Sequence, residues 1–432
     1  MSASVLSSRR AFLRRLARTS AALAAAPMVH RLPELHRFRE GLPARRPGET
    51  PDETYWEQVK AQFLFEDRLV PLNAANMCPA SQIVVEAVER ATRDVETDVS
   101  FQNRAKYDQL RETTRARLAT FLGATADEIA IVRNTSEANN IIVGGLRLGP
   151  GDEVVLWDEN HPTNGVAWDV RAARFGFTVR RVKLPGMPAT RTDIVEAFTG
   201  ALTDRTRVLA FSDLSNTSGI RMPSLELCRL ARARGIYVHV DGAQTCGAAR
   251  VSMPELGCDS YSASGQKWLM GPCEVGVLYV RAGRVPEIWP GIVASGWGGK
   301  VEPNPKGARK FESMGQRNDA LLAGLGAALD FHERIGDRVA PRVEELGRLL
   351  RDGLASIEGA QLVTPAAPEL YLGVIVAQFP GGVGSRLYER LYRAHGVIGA
   401  PTGGLRLCPH VYTTIADVNR TVEAVRRALR EI

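Results

Sequence analysis

Between residues 129 and 241, short apolar runs alternate with stretches of helical pattern. The apolar runs lie at residues 129–132, 153–157, 179–182, 208–211 and 237–240. Such runs predict buried strands, and a helix between each pair of strands predicts parallel connections. The pattern therefore predicts an α/β fold with a mostly parallel central sheet.

Polar clusters follow several of these runs, at the point where each predicted strand ends. They lie at residues 134–140, 159–164, 212–219 and 241–244. In open parallel sheets, ligands bind outside the carboxyl ends of the strands. We therefore expect these clusters to meet at one site.

The cluster at residues 134–140 has a further property, because a helix is predicted to begin there. Thr135 and Ser136 would place hydroxyl groups beside the free N–H groups of the helix N-terminus, which favours binding of a phosphate. Ordinary helix capping would use the same residues, so this alternative stays open.

Asp241 ends one predicted strand, and Lys267 lies further along the chain in a predicted loop of small residues at 262–268. A lysine can bind a carbonyl cofactor covalently, and a carboxylate can keep a pyridine nitrogen protonated. The pair is what a pyridoxal phosphate enzyme requires. Taken singly, the aspartate could cap a helix and the lysine could be a solvated loop charge.

Residues 1–30 contain five arginines and no acidic residue. Arg9 and Arg10 precede a stretch rich in alanine and leucine, which is similar to a twin-arginine export signal. The segment predicts transport by the twin-arginine machinery to the periplasm or another extracytoplasmic location. A basic N-terminal tail is the alternative.

The formal net charge of +7 is concentrated in this N-terminal segment. The rest of the chain is close to neutral, so we expect no nucleic-acid partner. No apolar run approaches the roughly 20 residues of a membrane span. The six cysteines lack metal-ligand spacing, so no metal site is predicted; buried free thiols are expected, with disulfide pairing left open.

The chain is predicted to have four parts. After the signal at 1–30, residues 31–70 would form an N-terminal arm with a short helix near residues 56–65. Residues 71–335 would form the large, cofactor-binding domain, with a polar loop at 72–76 that could reach the site. Residues 336–432 would form a smaller α+β domain, ending in a helix capped by Thr414.

Taken in order, these motifs resemble those of class V aminotransferases. This family of fold-type I pyridoxal phosphate enzymes includes cysteine desulfurases, selenocysteine lyases and isopenicillin N epimerase. The resemblance spans about residues 70–430 and rests on the motifs at 134–139, 161–164, 215–219, 241–244, 264–267, 311–317 and 406–410. It implies a mostly parallel, seven-stranded central sheet, a smaller α+β C-terminal domain and a homodimer.

The resemblance also implies roles for individual residues. Lys267 would bind the cofactor covalently and carry the α-proton of the substrate. Asp241 would pair with the ring nitrogen, and Arg406 would bind the substrate carboxylate through two hydrogen bonds.

Seven further residues would contact the cofactor. Gln244 and Asn216 would address its phenolic oxygen, and His161 would stack on the ring unless Pro162 takes that place. The phosphate would be bound by Thr135, Ser136 and Ser264, and the phosphate of the partner subunit by Gln316.

The resemblance implies an enzyme that labilises the Cα–H bond of an amino acid or of a peptide amino group. It would be aminotransferase-like or epimerase-like, because residues 394–401 lack the cysteine with which one desulfurase branch forms a persulfide. With an export signal, it would be similar to periplasmic enzymes that modify siderophore peptides such as pyoverdine. The alternatives are a cysteine or selenocysteine C–S or C–Se lyase and a non-catalytic, cofactor-binding module.

Overall fold

A computed structural model describes residues 51–184, 186–294, 297 and 305–432 of the chain. The predicted export signal at 1–30 and the first part of the predicted arm lie outside these residues. The division into domains at residues 335 and 336 stays a prediction.

The strands of the described chain are, in order, β1 (Val70–Pro71), β2 (Ile129–Val132), β3 (Glu153–Trp157), β4 (Thr178–Val182), β5 (Thr206–Ser212), β6 (Tyr237–Asp241), β7 (Ser260–Ser264), β8 (Gly276–Val280), β9 (Gln361–Leu362), β10 (Ile375–Gln378), β11 (Val397–Ile398) and β12 (Leu405–Leu407). The α-helices are α1 (Glu53–Lys60), α2 (Gln82–Thr97), α3 (Phe101–Leu122), α4 (Thr135–Gly145), α5 (Val166–Phe175), α6 (Arg191–Ala201), α7 (Ser224–Arg232), α8 (Met253–Leu256), α9 (Asp319–Ile335), α10 (Val339–Ala355), α11 (Gly384–His395) and α12 (Ile415–Arg430).

The described residues form a central sheet of seven strands in the order β2-β8-β7-β6-β5-β3-β4. Neighbours from β7 to β4 pair in parallel, while β8 is antiparallel to both β2 and β7. The predicted mostly parallel α/β sheet is confirmed. Helices connect its parallel strands, so the carboxyl ends of β3, β5, β6 and β7 meet at one edge.

Strand β7 differs from the sequence prediction, which placed residues 262–268 in a loop. Its sequence Ser-Tyr-Ser-Ala-Ser lacks the β-branched residues typical of strands, yet all five residues are buried. Hydrogen bonding to β6 on one side and β8 on the other fixes this extended conformation. The loop that carries Lys267 therefore begins at Gly265, and Ser264 ends the strand.

A smaller antiparallel sheet, in the order β12-β10-β9, lies in the C-terminal part of the chain. Helix α12 begins after Thr414 with the predicted capping box, which is confirmed. Helix α1 occupies Glu53–Lys60 rather than residues 56–65, because Asp52 caps it by accepting a hydrogen bond from the Tyr55 N–H at 3.0 Å.

The described residues contain no helix of the length and apolar character that crossing a membrane requires. They also bring together no group of three or more acidic, histidine or cysteine side chains suited to a metal ion.

Candidate active site

A cavity of about 340 Å³ lies at the carboxyl ends of β3, β5, β6 and β7. It brings together nine of the ten predicted site residues, although they come from distant parts of the sequence. These nine are Thr135, Ser136, His161, Asn216, Asp241, Gln244, Ser264, Lys267 and Arg406.

One end of the cavity is formed by the N-terminus of α4 and the end of β7. The Thr135 N–H donates to Ser264 Oγ at 2.8 Å, and the two hydroxyl oxygens lie 2.6 Å apart. Asn134 caps the helix by accepting from the Glu137 N–H at 3.0 Å. Hydroxyl groups and a helix N-terminus together make this end suited to a phosphate.

Asp241 is held on the floor of the cavity and is only 2% exposed. Its Oδ1 accepts from the Ala243 N–H at 3.1 Å, and its Oδ2 accepts from Asn139 Nδ2 at 2.9 Å. Glycine is required at the next position, because a Cβ on Gly242 would lie 1.8 Å from the ring of Tyr261. The strand end and the neighbouring ring therefore fix the carboxylate.

Lys267 faces this carboxylate from the loop after β7. Burial lowers the pKa of its amine, an effect that the Asp241 charge opposes and the Arg406 charge reinforces. The main chain beside it is anchored, because the Trp268 carbonyl accepts from His332 Nε2 at 3.1 Å and from His410 Nε2 at 2.9 Å.

Arg406 enters the cavity from β12 and is 4% exposed. Its Nη1 donates to the Asn216 carbonyl at 2.9 Å and its Nη2 donates to Asn73 Oδ1 at 3.0 Å, while its Nε has no partner among the described atoms. Two fixed contacts aim the guanidinium, and its remaining N–H groups can bind a carboxylate. The predicted loop at 72–76 thus reaches the site through Asn73.

Gln244 and His161 line the cavity with side chains that already have partners. Gln244 donates through Nε2 to the Ala75 carbonyl at 2.9 Å and accepts from Trp268 Nε1 at 2.8 Å, so one N–H remains for a ligand oxygen. His161 Nδ1 lies 3.0 Å from Thr163 Oγ1. Burial, reinforced by the charge of Lys267, lowers the pKa of His161. The stacking of His161 and the phenolic-oxygen contacts of Gln244 and Asn216 stay predictions.

Gln316 does not line the cavity of its own chain but lies exposed at the surface. Its neighbours hold the outer edge of β2. Glu312 Oε1 accepts from the Ile131 N–H at 2.7 Å, and Arg317 Nη1 donates to the Ile131 carbonyl at 2.6 Å. Strand β2 lies at the edge of the sheet and has no neighbouring strand on this side. Glu312 and Arg317 provide hydrogen-bond partners for its main chain in place of one.

Asn139 and His239 lie behind Asp241 and are both fully buried, and neither was predicted as a site residue. Helical spacing could have indicated Asn139, since it follows Thr135 by one turn and lies on the same face of α4. His239 is a polar residue within a strand that is predicted to be buried. Because a buried polar group needs hydrogen-bond partners, its presence there indicates other polar side chains nearby.

None of the six cysteines lines the cavity, and all six are free thiols. Five are buried and Cys273 is exposed. Burial raises the pKa of Cys246 to about 12 and also raises the pKa of Cys408, which disfavours thiolate formation at both. The expectation of buried free thiols holds for five of the six.

The arrangement fits pyridoxal phosphate. It combines an anion site, a carboxylate, an amide donor and a buried lysine in one cavity, which match the phosphate, ring nitrogen, phenolic oxygen and carbonyl carbon of that cofactor. Two polar atoms of the cavity lining, Gln266 Oε1 and Arg406 Nε, are buried without a hydrogen-bond partner among the described residues. A polar ligand would supply such partners.

Comparison with known proteins identifies the family. Residues 73–424 match the family model for class V aminotransferases. Isopenicillin N epimerase of Amycolatopsis lactamdurans is 31% identical over 86% of this chain and 98% of that protein. A probable cysteine desulfurase of Xylella fastidiosa (strain Temecula1 / ATCC 700964) is 31% identical over 73% of this chain and 78% of that protein.

A solved structure shares the fold. It is a variant of the protein C-DES with glycine covalently linked to its pyridoxal phosphate cofactor, and it matches with a TM-score of 0.78. The identity is 24%, and the match covers 87% of this chain and 99% of that one. Fold, cavity and family match agree, and the chain belongs to the class V aminotransferase family of pyridoxal phosphate-dependent enzymes.

Proposed function

We propose that this enzyme labilises the Cα–H bond of an amino acid, or of the amino-acid end of a peptide, and acts as an epimerase or an aminotransferase. One observation carries the proposal: the cavity holds Lys267, Asp241 and Arg406 together, and no thiol lines it. A base, an acceptor for the ring nitrogen and a carboxylate-binding group are what Cα–H labilisation needs.

Each residue has a defined task in this proposal. Pyridoxal phosphate, when bound, supplies an electron sink that stabilises negative charge at the substrate Cα. Lys267 Nζ accepts the α-proton, which its burial-lowered pKa favours because more of the amine is uncharged near neutral pH. Arg406 binds the substrate carboxylate and thereby orients the Cα–H bond.

A cysteine or selenocysteine lyase is the second candidate. The chain covers 78% of a relative named as a probable cysteine desulfurase, which favours such chemistry. Against a persulfide-forming reaction, residues 394–401, where one desulfurase branch carries its cysteine, contain none. The long match to an isopenicillin N epimerase favours epimerisation or transamination over elimination.

Hydrogen exchange at Cα tests the proposal. We expect the purified holoenzyme, incubated in deuterium oxide with a panel of amino acids and short peptides, to exchange the α-hydrogen of at least one of them, as followed by proton NMR. Siderophore peptides belong in the panel, since they are the substrate class that we propose for an exported enzyme of this kind.

The products then separate the reactions. Inversion at Cα identifies an epimerase, a keto acid formed together with pyridoxamine phosphate identifies an aminotransferase, and released sulfide or selenide identifies a lyase. A holoenzyme that exchanges no α-hydrogen across the panel would contradict the proposal. The Lys267→Ala variant provides the background rate.

We further propose export by the twin-arginine machinery, on the strength of Arg9, Arg10 and the alanine-rich stretch that follows. Arg9→Lys combined with Arg10→Lys keeps the charge but removes the guanidinium pair, so we expect the protein to remain in the cytoplasm. Fractionation and immunoblotting measure the distribution, with Arg14→Lys and Arg15→Lys as the matched control. Unchanged export of the Arg9, Arg10 variant would refute the signal.

We also propose that two copies associate. Gln316 is exposed on a segment that Glu312 and Arg317 hold firmly against β2, and such a segment can present a side chain to a second subunit. Gln316 would then contact the phosphate in the partner's cavity. Sedimentation analysis of the holoenzyme gives the mass that tests the association.

A further inference from the structure

We infer that Asn139 is a positioning residue, which holds Asp241 as an ionised hydrogen-bond acceptor for the ring nitrogen of the cofactor. The inference rests on the proposed placement of Asp241 against that nitrogen. It goes beyond that placement because Asn139 itself does not line the cavity.

Asn139 uses both ends of its amide and is 0% exposed. Its Nδ2 donates to Asp241 Oδ2 at 2.9 Å and to Thr163 Oγ1 at 3.2 Å. Its Oδ1 lies 2.9 Å from His239 Nε2 and accepts from Ser262 Oγ at 2.5 Å. One buried side chain thus joins β6, β7 and the segment after β3.

Chemistry fixes the direction of these hydrogen bonds. Asn139 donates to Asp241 Oδ2 through its NH₂ group, so its amide oxygen faces His239 and Ser262, and the His239 nitrogen that meets this oxygen must donate. Burial lowers the pKa of His239 to about 3, so this ring is neutral and carries its one proton on Nε2. Its Nδ1 then accepts from Ser260 Oγ, 2.8 Å away.

The result is a chain of donors that ends at Asp241. Ser260 donates to His239, His239 donates to Asn139, and Asn139 donates to Asp241. Donation to a buried carboxylate stabilises its ionised form. An ionised Asp241 is the partner that a protonated ring nitrogen requires.

Helix α4 links this chain of hydrogen bonds to the phosphate end of the cavity. Thr135 and Ser136 lie in its first turn, and Asn139 lies one turn later on the face of Thr135. The same rigid element would therefore set the position of the phosphate and the orientation of Asp241. This explains why a polar residue occupies a fully buried position of α4.

The binding affinities of two forms of the cofactor distinguish this positioning role from a purely structural role. The first is pyridoxal phosphate, and the second is its analogue with carbon in place of the ring nitrogen. Asn139→Ala should weaken binding of pyridoxal phosphate about tenfold, as expected for a lost hydrogen bond to a charged group. Binding of the analogue, which offers Asp241 no N–H, should change much less.

A conservative variant adds a spectroscopic signature. Asn139→Asp keeps the side-chain shape but can donate to Asp241 only while it is protonated. The titratable groups in contact with this position are Asp241 and His239, and the charge of Asp241 also acts on His161 and Lys267. Because two carboxyl groups in contact share one proton, the variant should gain a pH transition in the absorbance of the bound cofactor that the wild type lacks.

Asn140→Asp is the matched control. Asn140 is the next residue of α4 but is exposed and donates to the Ser136 carbonyl. We expect it to leave the affinity ratio of the two cofactor forms unchanged and to add no pH transition. Melting curves of the apoproteins show whether each variant is folded.

The outcomes distinguish this inference from the proposed function. Asp241→Asn should also weaken pyridoxal phosphate selectively. If it does, but both Asn139 variants weaken the two cofactor forms equally and add no pH transition, the positioning role is wrong and the placement of Asp241 stands. If Asp241→Asn itself fails to discriminate between the two forms, the placement of Asp241 is wrong and the inference fails with it.

Discussion

Lys267→Ala is expected to lower turnover about 10,000-fold, the upper range for loss of a general acid-base residue. The variant loses both the covalent attachment point and the group that carries the α-proton. The cavity keeps its phosphate end and Asp241, so the cofactor should still bind, with a changed visible absorbance spectrum. Steady-state rates and spectra of the purified variant measure the two effects.

Small primary amines provide a second measurement on Lys267→Ala. Added methylamine can enter the space that the side chain leaves and should restore part of the activity. Lys183→Ala is the control, since Lys183 is exposed and its loss should change neither rate nor spectrum. A Lys267→Ala variant with wild-type turnover would refute the assignment of the base.

Arg406→Ala is expected to raise KM for an α-amino acid about 100-fold, because a buried charge that pairs with a carboxylate is removed. The effect should depend on the substrate carboxylate. Wild-type enzyme should strongly prefer an amino acid to the amine that lacks the carboxylate, whereas the variant should show little preference. Kinetics with matched substrate pairs measure this difference.

Arg406→Lys is the informative companion, because lysine keeps the charge but loses the two-pronged geometry that Asn216 and Asn73 fix. We expect an intermediate KM. Melting temperatures control for lost stability, since the wild-type side chain is buried. If Arg406→Ala retains the full preference for the carboxylate, another residue binds that group.

The bounds of the secondary-structure elements were predictable where a segment of the sequence had one clear hydrophobic pattern. Strands β2 and β3 begin and end at the predicted residues, because an apolar run is a property of neighbouring residues. Strand β7 was not predictable in this way. Its serines adopt an extended conformation only because two neighbouring strands pair with it, and that pairing is a tertiary effect.

The site residues also divide into those that the sequence indicates and those that only the tertiary structure reveals. Asp241 and Lys267 carry recognisable chemistry, and the structure places them in one cavity. Helical spacing could have indicated Asn139, and the loop that carries Asn73 was expected to reach the site, but the hydrogen-bond partners of these two asparagines were not predictable. Their partners, Asp241 and Arg406, lie far away in the sequence. Only the folded chain shows which of its polar residues support the others.

The two hydrogen bonds to the Trp268 carbonyl affect the order in which the active site forms during biosynthesis. The ribosome makes the chain from its N-terminus, so Lys267 emerges well before His332, Arg406 and His410. Until those residues have been synthesised, the Trp268 carbonyl lacks both of its histidine donors and the cavity lacks its guanidinium. A nascent chain could therefore display every residue from Thr135 to Lys267 and still lack the complete cavity. Maturation of the active site would thus be one of the last events of biosynthesis, completed only after nearly the whole polypeptide has been translated.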